Sequence, residues 1–414
     1  MKMIIEPGNY QGTISIPSSK SDGQRAVIAA GLAKGTSRIM NFGNSKDEEA
    51  ALNAMITLGA IVESREGKEL LLRGTRNFPP SATLHTGESG LSMRLLTSIC
   101  AAHSGNYTIT GEGSLSQRPM TFFDTYLPLF GATVQTSKGY ITVQGPMKGT
   151  SLSIDGSQSS QYVSGLLMGL PLLPSESRLE VENLKSTPYL KMTLKTLSSF
   201  GIIVEQQAYQ HFIVPGNQHY LSAEYIVEGD WSSASYWLVA SALGQDIVVK
   251  GLSLSSLQAD KALLDVFITS GCNIQYKEDG IQIDGTNKKA FTFDATDCPD
   301  LFPALVSYAA HCEGISVIKG VSRLWHKESN RSQVLKEEFS KLGVQIFIDQ
   351  DDMHIYGRKF IEGGIVSSHN DHRIAMCLAV AGMFASSPVE IDGSEAVEKS
   401  YRNFWEDFSS LKRH

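Results

Sequence analysis

LSSFGIIVEQ, residues 197–206, changes period at its centre: an apolar pattern of helical spacing runs into Gly201, and a strand-like run follows it. Glycine adopts the left-handed conformation without penalty, so Gly201 reads as the cap of a helix that turns directly into a strand. The same join recurs in MITLGAIVE, YLPLFGATVQ, FITSGCNIQ and FSKLGVQIFI, whose glycines are Gly59, Gly131, Gly271 and Gly343. Along the chain the five glycines are separated by 72, 70, 70 and 72 residues. An interval that regular marks a repeated structural unit.

A second glycine stands 14 or 15 residues beyond each of the first (Gly74, Gly145, Gly216, Gly285, Gly357), with turn residues dividing the alternating apolar run between them. That pattern reads as a hairpin. Each unit also holds a second helix-like run, beginning near Lys20, Ser89, Ser159, Trp231, Pro299 and Asp371 and followed by a strand such as DIVVKGL or ISVIKGV. One unit is therefore β-α-β-α-β-β in some circular order. Six such units fill the chain, with the last, YRNFWEDFSSLKRH, running off its end. A 70-residue unit that alternates strands and helices is neither a short solenoid repeat nor a single doubly wound sheet.

At 414 residues, 42% hydrophobic and 19% charged, the chain has the composition of a globular protein with more than one core, and two domains of three units each are expected. A net charge of −7 disfavours nucleic-acid and basic membrane-surface functions. The five cysteines, Cys100, Cys272, Cys298, Cys312 and Cys377, form no C-x-x-C pair, which fits a reducing compartment and gives no zinc signature. No apolar run approaches the length of a membrane span, and the N-terminal run is too short for a signal peptide. A cytoplasmic protein is expected.

Polar residues crowd the starts of the second-type helices: SSKSDGQR, TGESGLSMR, DGSQSSQY, GDWSSAS, TDCPD and SHNDHR. Capping of the free amides of a first turn accounts for Ser, Asp and Asn there. It does not account for Lys20, Arg25, Arg94 and Arg373, because a cation at the positive end of a helix dipole is mildly unfavourable unless an anion is bound. With Arg118 in LSQRPM and Lys327, Glu328 and Arg331 in WHKESNRSQ, the pattern points to substrates carrying several negative charges. Asp300, Glu328 and His372 are the acid–base candidates among these cations, although caps and surface pairs explain most single residues of their type. A P-loop, a dinucleotide fingerprint, an H-E-x-x-H pair and a G-x-S-x-G elbow are all missing from the sequence.

PSSKSDGQRA, SGLSMR, GEGSLSQRPM, DGSQSSQYVSGLLM, STPYLKMTL, VEGDWSSASYWL, CPDLFPAL, HKESNR, NDHRIAM and KSYRNF together resemble the 5-enolpyruvylshikimate-3-phosphate synthase family, in family order and over nearly the whole chain. The resemblance implies the two-domain α/β enolpyruvyl transferase fold, an inverted α/β barrel of six β-α-β-α-β-β repeats. It implies one domain of residues 1–18 plus 228–414, an inserted domain of residues 19–227, and an active site in the cleft between them. The implied reaction moves the enolpyruvyl group of phosphoenolpyruvate to the 5-hydroxyl of shikimate 3-phosphate.

By the same resemblance Lys20, Ser21, Arg25, Ser159, Ser160, Gln161, Ser186, Tyr189, Asp300, Arg323 and Lys327 contact shikimate 3-phosphate. Lys20, Gly90, Arg118, Gln161, Arg331, Arg373 and Lys399 surround phosphoenolpyruvate, and Lys20, Asp300, Glu328, His372 and Lys399 carry the chemistry. It implies no cofactor and no metal, no nucleic-acid or membrane partner, and a monomer.

The sequence departs from the family pattern at a few positions. Glu88 and Leu91 replace an amide and a hydroxyl beside Gly90, the small residue associated with glyphosate sensitivity; Arg323 and Asn330 replace an asparagine and an aspartate, and Arg402 a proline. Three alternatives are weighed against this reading: the enolpyruvyl transferase acting on UDP-N-acetylglucosamine, whose reactive cysteine has no counterpart in GEGSLSQRPM; a non-catalytic anion-binding protein of the same fold; and an RNA-end-processing enzyme, which the net charge disfavours.

Overall fold

The computed structural model describes residues 1–414 apart from Arg76, Asp279, His326 and His414 and the side chain of Arg413, so His326 of the HKESNR motif lies outside the described residues. The chain divides into two compact units, Met1–Pro17 with Glu228–His414, and Ser18–Val227.

In the Ser18–Val227 unit the repeat appears as three sheets of one design, a parallel pair extended by an antiparallel hairpin. Ser81–His85 runs parallel to Asn106–Thr110, which pairs with the hairpin Thr133–Ser137/Tyr140–Gln144. Ser151–Asp155, Ser177–Glu182 and the hairpin Glu205–Gln207/His211–Val214 repeat this arrangement. In the remaining sheet Thr36–Met40 and the hairpin Ile61–Glu66/Glu69–Arg73 receive their parallel partner, Glu224–Ile226, from the far end of the unit, which closes the set.

The other unit follows the same plan, with a difference in its last repeat. Tyr10–Ser15 pairs in parallel with Asp246–Lys250, and Thr292–Asp294 with Ile315–Lys319, each extended by its hairpin. For the pair Gly364–Ser367 and Val389–Asp392, the antiparallel neighbour is the N-terminal strand Lys2–Ile5. The sixth repeat is thus completed by the opposite end of the chain, and its helix Phe404–Ser410 leads only into the two-residue strand Lys412–Arg413 beside Tyr10–Gln11.

The two glycine series have different causes. Gly59, Gly131, Gly201, Gly271 and Gly343 have φ of 104°, 88°, 76°, 90° and 76°, the left-handed conformation expected after a helix. The second series sits under close backbone contacts: a Cβ on Gly74 would lie 2.1 Å from Ala33 O, on Gly285 1.8 Å from Ala242 O, and on Gly357 1.7 Å from Cys312 O. In these repeats the strand following the hairpin leaves the sheet against the C-terminal end of the repeat's buried helix, and only a hydrogen fits there.

Those helices, Lys20–Leu32, Gly90–Ala101 and Ser160–Gly169 in one unit and Trp231–Ala242, Phe302–Ala309 and His372–Gly382 in the other, are buried on nearly every side, so they read as continuous apolar and small residues rather than as stripes. Gly165 and Gly169 let Ser160–Gly169 approach the backbone of Gly90–Ala101, where a Cβ would come within 2.6 Å of Arg94 O and 2.7 Å of Ser98 O. The peripheral helices, by contrast, carry one buried and one exposed face, as in Thr187–Ser199. Among the described residues no helix is long and apolar enough to cross a membrane.

Candidate active-site clusters

Burial of six helices fixes where their first turns lie, and these turns carry the expected polar residues. Ser89, Ser159, Asp230 and Asp371 are side-chain caps, accepting from the amides of Ser92, Gln161, Ser232 and Arg373. Capping therefore explains these four. The cations remain, and each unit gathers its own set.

In the Ser18–Val227 unit, Lys20 opens its helix after Ser19, which makes no side-chain cap, and its Nζ lies 2.9 Å from Asp47 Oδ2. Five residues on, Arg25 is buried, donating from Nε to Thr193 Oγ1 at 2.8 Å and from its terminal nitrogens to the carbonyls of Ser21 and Tyr189. Burial pulls the guanidinium down to about 10, with Asp22 opposing. Ser186 precedes Thr187–Ser199 at φ 60° and is buried; a non-glycine residue held left-handed carries strain of about 1 kcal/mol or more that the surrounding fold imposes. Ser159 and Ser160 form the start of a neighbouring helix.

Gln161 accepts from Arg94 Nη1 at 2.7 Å, and the Arg94 guanidinium lies 4.9 Å from the Tyr162 ring centre. Gly90 packs beneath two guanidinium groups: an added Cβ would lie 2.7 Å from Arg94 Nη1 and 3.1 Å from Arg118 Nη1. Gly90, Arg118 and Gln161 are thus brought together, with Arg94 as the link. Sequence reading noted Arg94 only as a cation. Gln24 escaped it, and its Oε1 accepts from Ser89 and Ser92; Glu88, noted there as a departure, accepts at Oε2 from Ser114 N at 3.2 Å and Ser114 Oγ at 3.0 Å, holding the turn that leads to Arg118. The Glu88 departure therefore has a structural partner. Leu91 is a buried core side chain.

In the other unit Asp300 is the hub. Its Oδ1 accepts from Lys327 Nζ at 3.2 Å and Arg331 Nη1 at 2.8 Å, and its Oδ2 from Arg373 Nη2 at 3.0 Å. Burial alone would raise this carboxyl, but Arg373, Lys327 and Arg331 hold it well below the usual carboxylate range. Arg331 is completely buried, bonded also to Glu328 and, through Nε at 2.8 Å and Nη2 at 3.2 Å, to Asp371. Burial alone would lower it, yet Asp371, Glu328 and Asp300 keep it charged at any accessible pH. Lys327 is lowered by burial, against the pull of Asp300.

Arg323 lies on the short helical turn Val321–Leu324 and adds to the positive field at Lys327. Lys399 Nζ donates to Asn370 O at 2.8 Å, just ahead of the helix that begins at His372. The His372 ring is buried, its Nδ1 3.8 Å from Asp371 Oδ1 and so beyond hydrogen-bond length. Asn330 keeps the cap of Arg331–Lys341, because its Oδ1 still accepts from Gln333 N and Ser332 Oγ; nothing in the structure explains the exposed Arg402. Sequence reading missed the two carboxylates behind the cations, Asp371 and Asp260. Asp371 was visible only as a cap.

The arrangement in each unit is a set of buried and half-buried cations gathered near helix starts, and around Asp300 several carboxylates stand among them. Such groups can hold dianions in fixed orientation and exchange protons beside them. Among the described residues the one group with metal-ligand geometry is Glu337, Glu338 and His369, and Lys341 already neutralises Glu338.

Comparison with known proteins gives a consistent picture. Residues 4–408 match the family model described as EPSP synthase (3-phosphoshikimate 1-carboxyvinyltransferase). The chain is similar to the 3-phosphoshikimate 1-carboxyvinyltransferase of Clostridium kluyveri, 36% identical over 99% of this chain and 97% of that one, and to that of Clostridium acetobutylicum, 37% identical over 98% and 96%. Among solved structures it is similar to EPSP synthase from Acinetobacter baumannii, with a TM-score of 0.83 and 27% identity over 99% of both chains. The enolpyruvyl transferase NikO from Streptomyces tendae, at 15% identity and a TM-score of 0.79, shares the fold.

Proposed function

The chain belongs to the EPSP synthase family, and on that premise we propose that it transfers the 1-carboxyvinyl group of phosphoenolpyruvate to the 5-hydroxyl of shikimate 3-phosphate, releasing phosphate. The observation that carries this reading is the cluster of half-buried Asp300, Lys327 and Glu328 with buried Arg331 and Arg373, which combines fixed cations with two carboxylates. A protein that only bound anions would have no need of carboxylates among its cations, since they weaken anion affinity.

The reaction needs a proton delivered to the methylene carbon of phosphoenolpyruvate, attack by the shikimate hydroxyl on the carbon made cationic, and loss of phosphate and a proton from the tetrahedral intermediate. Arg331, Arg373 and Lys399, with Lys20, Gln161 and Arg118, supply charge and hydrogen bonds for the carboxylate and phosphate, with Gly90 leaving the space between Arg94 and Arg118 open. Lys20, Ser21, Arg25, Ser159, Ser160, Gln161, Ser186, Tyr189, Arg323 and Lys327 serve the shikimate ester. Glu328 is the group for proton transfer at the methylene carbon, with His372 at the start of the helix that carries Arg373, and Asp300 accepts the hydroxyl proton.

The pairing of Asp300 gives this assignment a physical condition. With three cations on it, Asp300 is a weak base. Substrate anions that draw Arg331, Arg373 and Lys327 toward themselves relax that hold, so the carboxylate gains basicity only when the substrates are bound. Water meets a poor base, and the substrate hydroxyl a better one.

The test is phosphate release from phosphoenolpyruvate by purified protein, offered shikimate 3-phosphate or UDP-N-acetylglucosamine, with the organic product identified by mass. Release with the shikimate ester alone is expected. Release with the sugar nucleotide, or with neither, would overturn the proposal.

A further inference from the structure

Behind Arg373 stands a carboxylate that the proposed chemistry does not use. Asp260 lies in the turn Ala259–Ala262, is 2% exposed, and accepts the Ser232 hydroxyl proton at Oδ2; its Oδ1 is buried without a hydrogen-bond partner among the described residues. Ser232, in the first turn of Trp231–Ala242, has one proton to give. With that proton committed to Asp260, its oxygen lone pairs are turned to Arg373, whose Nη2 donates to it at 3.3 Å while also donating to Asp300 at 3.0 Å. Arg373 is itself 6% exposed, so neither partner is replaced by bulk water.

We propose that Asp260 is a positioning residue for Arg373, acting through the Ser232 hydroxyl to fix the orientation in which the guanidinium meets phosphoenolpyruvate. The proposal rests on the function given above, since it takes Arg373 as a ligand of that substrate. Asp300 holds the outer edge of the guanidinium, accepting from Nη1 at its main-chain oxygen at 3.4 Å and from Nη2 at Oδ2 at 3.0 Å. A second acceptor from a different element fixes the plane, which is what a planar, two-point donor requires in order to meet a carboxylate or phosphate in register. Burying a carboxylate to orient one hydroxyl is costly, and the nearby charge of Arg373 offsets part of that cost.

The charged and titratable groups facing Asp260 are Arg373, Asp300, Asp230 and the Cys298 thiol. Burial first, and Asp300 second, push its carboxyl up to about 7, with Arg373 opposing. The orienting charge therefore changes within the neutral range.

Steady-state kinetics of Asp260→Ala, Asp260→Asn and Ser232→Ala decide the matter. The two alanine variants are expected to raise KM for phosphoenolpyruvate about tenfold, with KM for shikimate 3-phosphate unchanged and kcat within about threefold. Asp260→Asn, which keeps an acceptor oxygen, should restore KM to within about threefold, and should lack the component of the KM–pH profile near neutrality that the unmodified protein shows. A loss shared equally by both substrates, no rescue by asparagine, or an unchanged pH profile would overturn the proposal. Should Asp260→Ala fail to fold, Ser232→Ala carries the same expectation. If the unmodified protein turns nothing over, the function reading falls, and calorimetric titration with phosphoenolpyruvate alone still decides this one: weakened binding in the alanine variants with rescue by asparagine supports it, and equal binding refutes it.

Discussion

Replacing Asp371 by alanine strips the fully buried Arg331 of its two bonds to that carboxylate, at 2.8 and 3.2 Å, and removes the cap that receives Arg373 N at 3.0 Å. Breaking a buried pair by deleting one partner costs about 3–5 kcal/mol, because the remaining charge stays desolvated. Here Asp300 and Glu328 still hold Arg331, so the lower end, about 3 kcal/mol, is appropriate, and loss of the cap adds about 1 kcal/mol. Asp371→Ala should therefore lose about 4 kcal/mol of unfolding free energy, while Asp371→Asn, which keeps the acceptor for the cap, should lose about half of that. Urea unfolding followed by tryptophan fluorescence measures both. The variants should also bind phosphoenolpyruvate more weakly than they bind shikimate 3-phosphate, each relative to the unmodified protein. A loss below about 1 kcal/mol in the alanine variant would refute the argument, since it would mean that Asp300 and Glu328 satisfy Arg331 unaided.

Other consequences are equally open to measurement. Glu328→Gln should lower turnover by roughly 10²–10⁴-fold while calorimetry still detects shikimate 3-phosphate binding; retained turnover would remove Glu328 from proton transfer. Gly285→Ala, which sets a methyl group 1.8 Å from Ala242 O, should cost about 3 kcal/mol or more and lower the thermal midpoint, whereas a neutral result would deny the close backbone approach. Asp260 is raised from its ordinary 3.8 to about 7, so the folded protein retains a proton that the unfolded chain has lost between those values, and stability falls as pH rises through that window. Asp260→Asn lacks this slope, so its stability relative to the unmodified protein should grow by up to about 4 kcal/mol between pH 4 and pH 7 and then level off; a difference independent of pH would show that Asp260 is not raised.

The repeat was legible because it is written in local chemistry. A glycine at the end of a helix, as at Gly201, and a change from helical to alternating spacing are properties of neighbouring residues, and the structure places all five of these glycines in the left-handed conformation. The polar first turns were legible for the same reason, and so was the surplus of cations in them, which capping could not explain. Three other features were not legible. The second glycine series reads as part of a hairpin, yet its cause at Gly285 is a carbonyl of Ala242 more than forty positions away. Completion of the sixth repeat by Lys2–Ile5 joins residues separated by almost the whole chain. Asp371 looks like any helix cap until Arg331 is seen against it.

By itself the sequence determined the unit, its period, the polar and cationic helix starts, and a family resemblance that the comparisons bear out, because each of these is carried by residue types at short, fixed spacing. Tertiary structure alone decided which distant carboxylates stand behind which cations: Asp371 on Arg331, Asp260 through Ser232 on Arg373, and Asp300 between Lys327, Arg331 and Arg373. A charge acquires its partner, its burial and therefore its protonation from elements that fold against it from elsewhere in the chain, and spacing along the sequence holds no record of that.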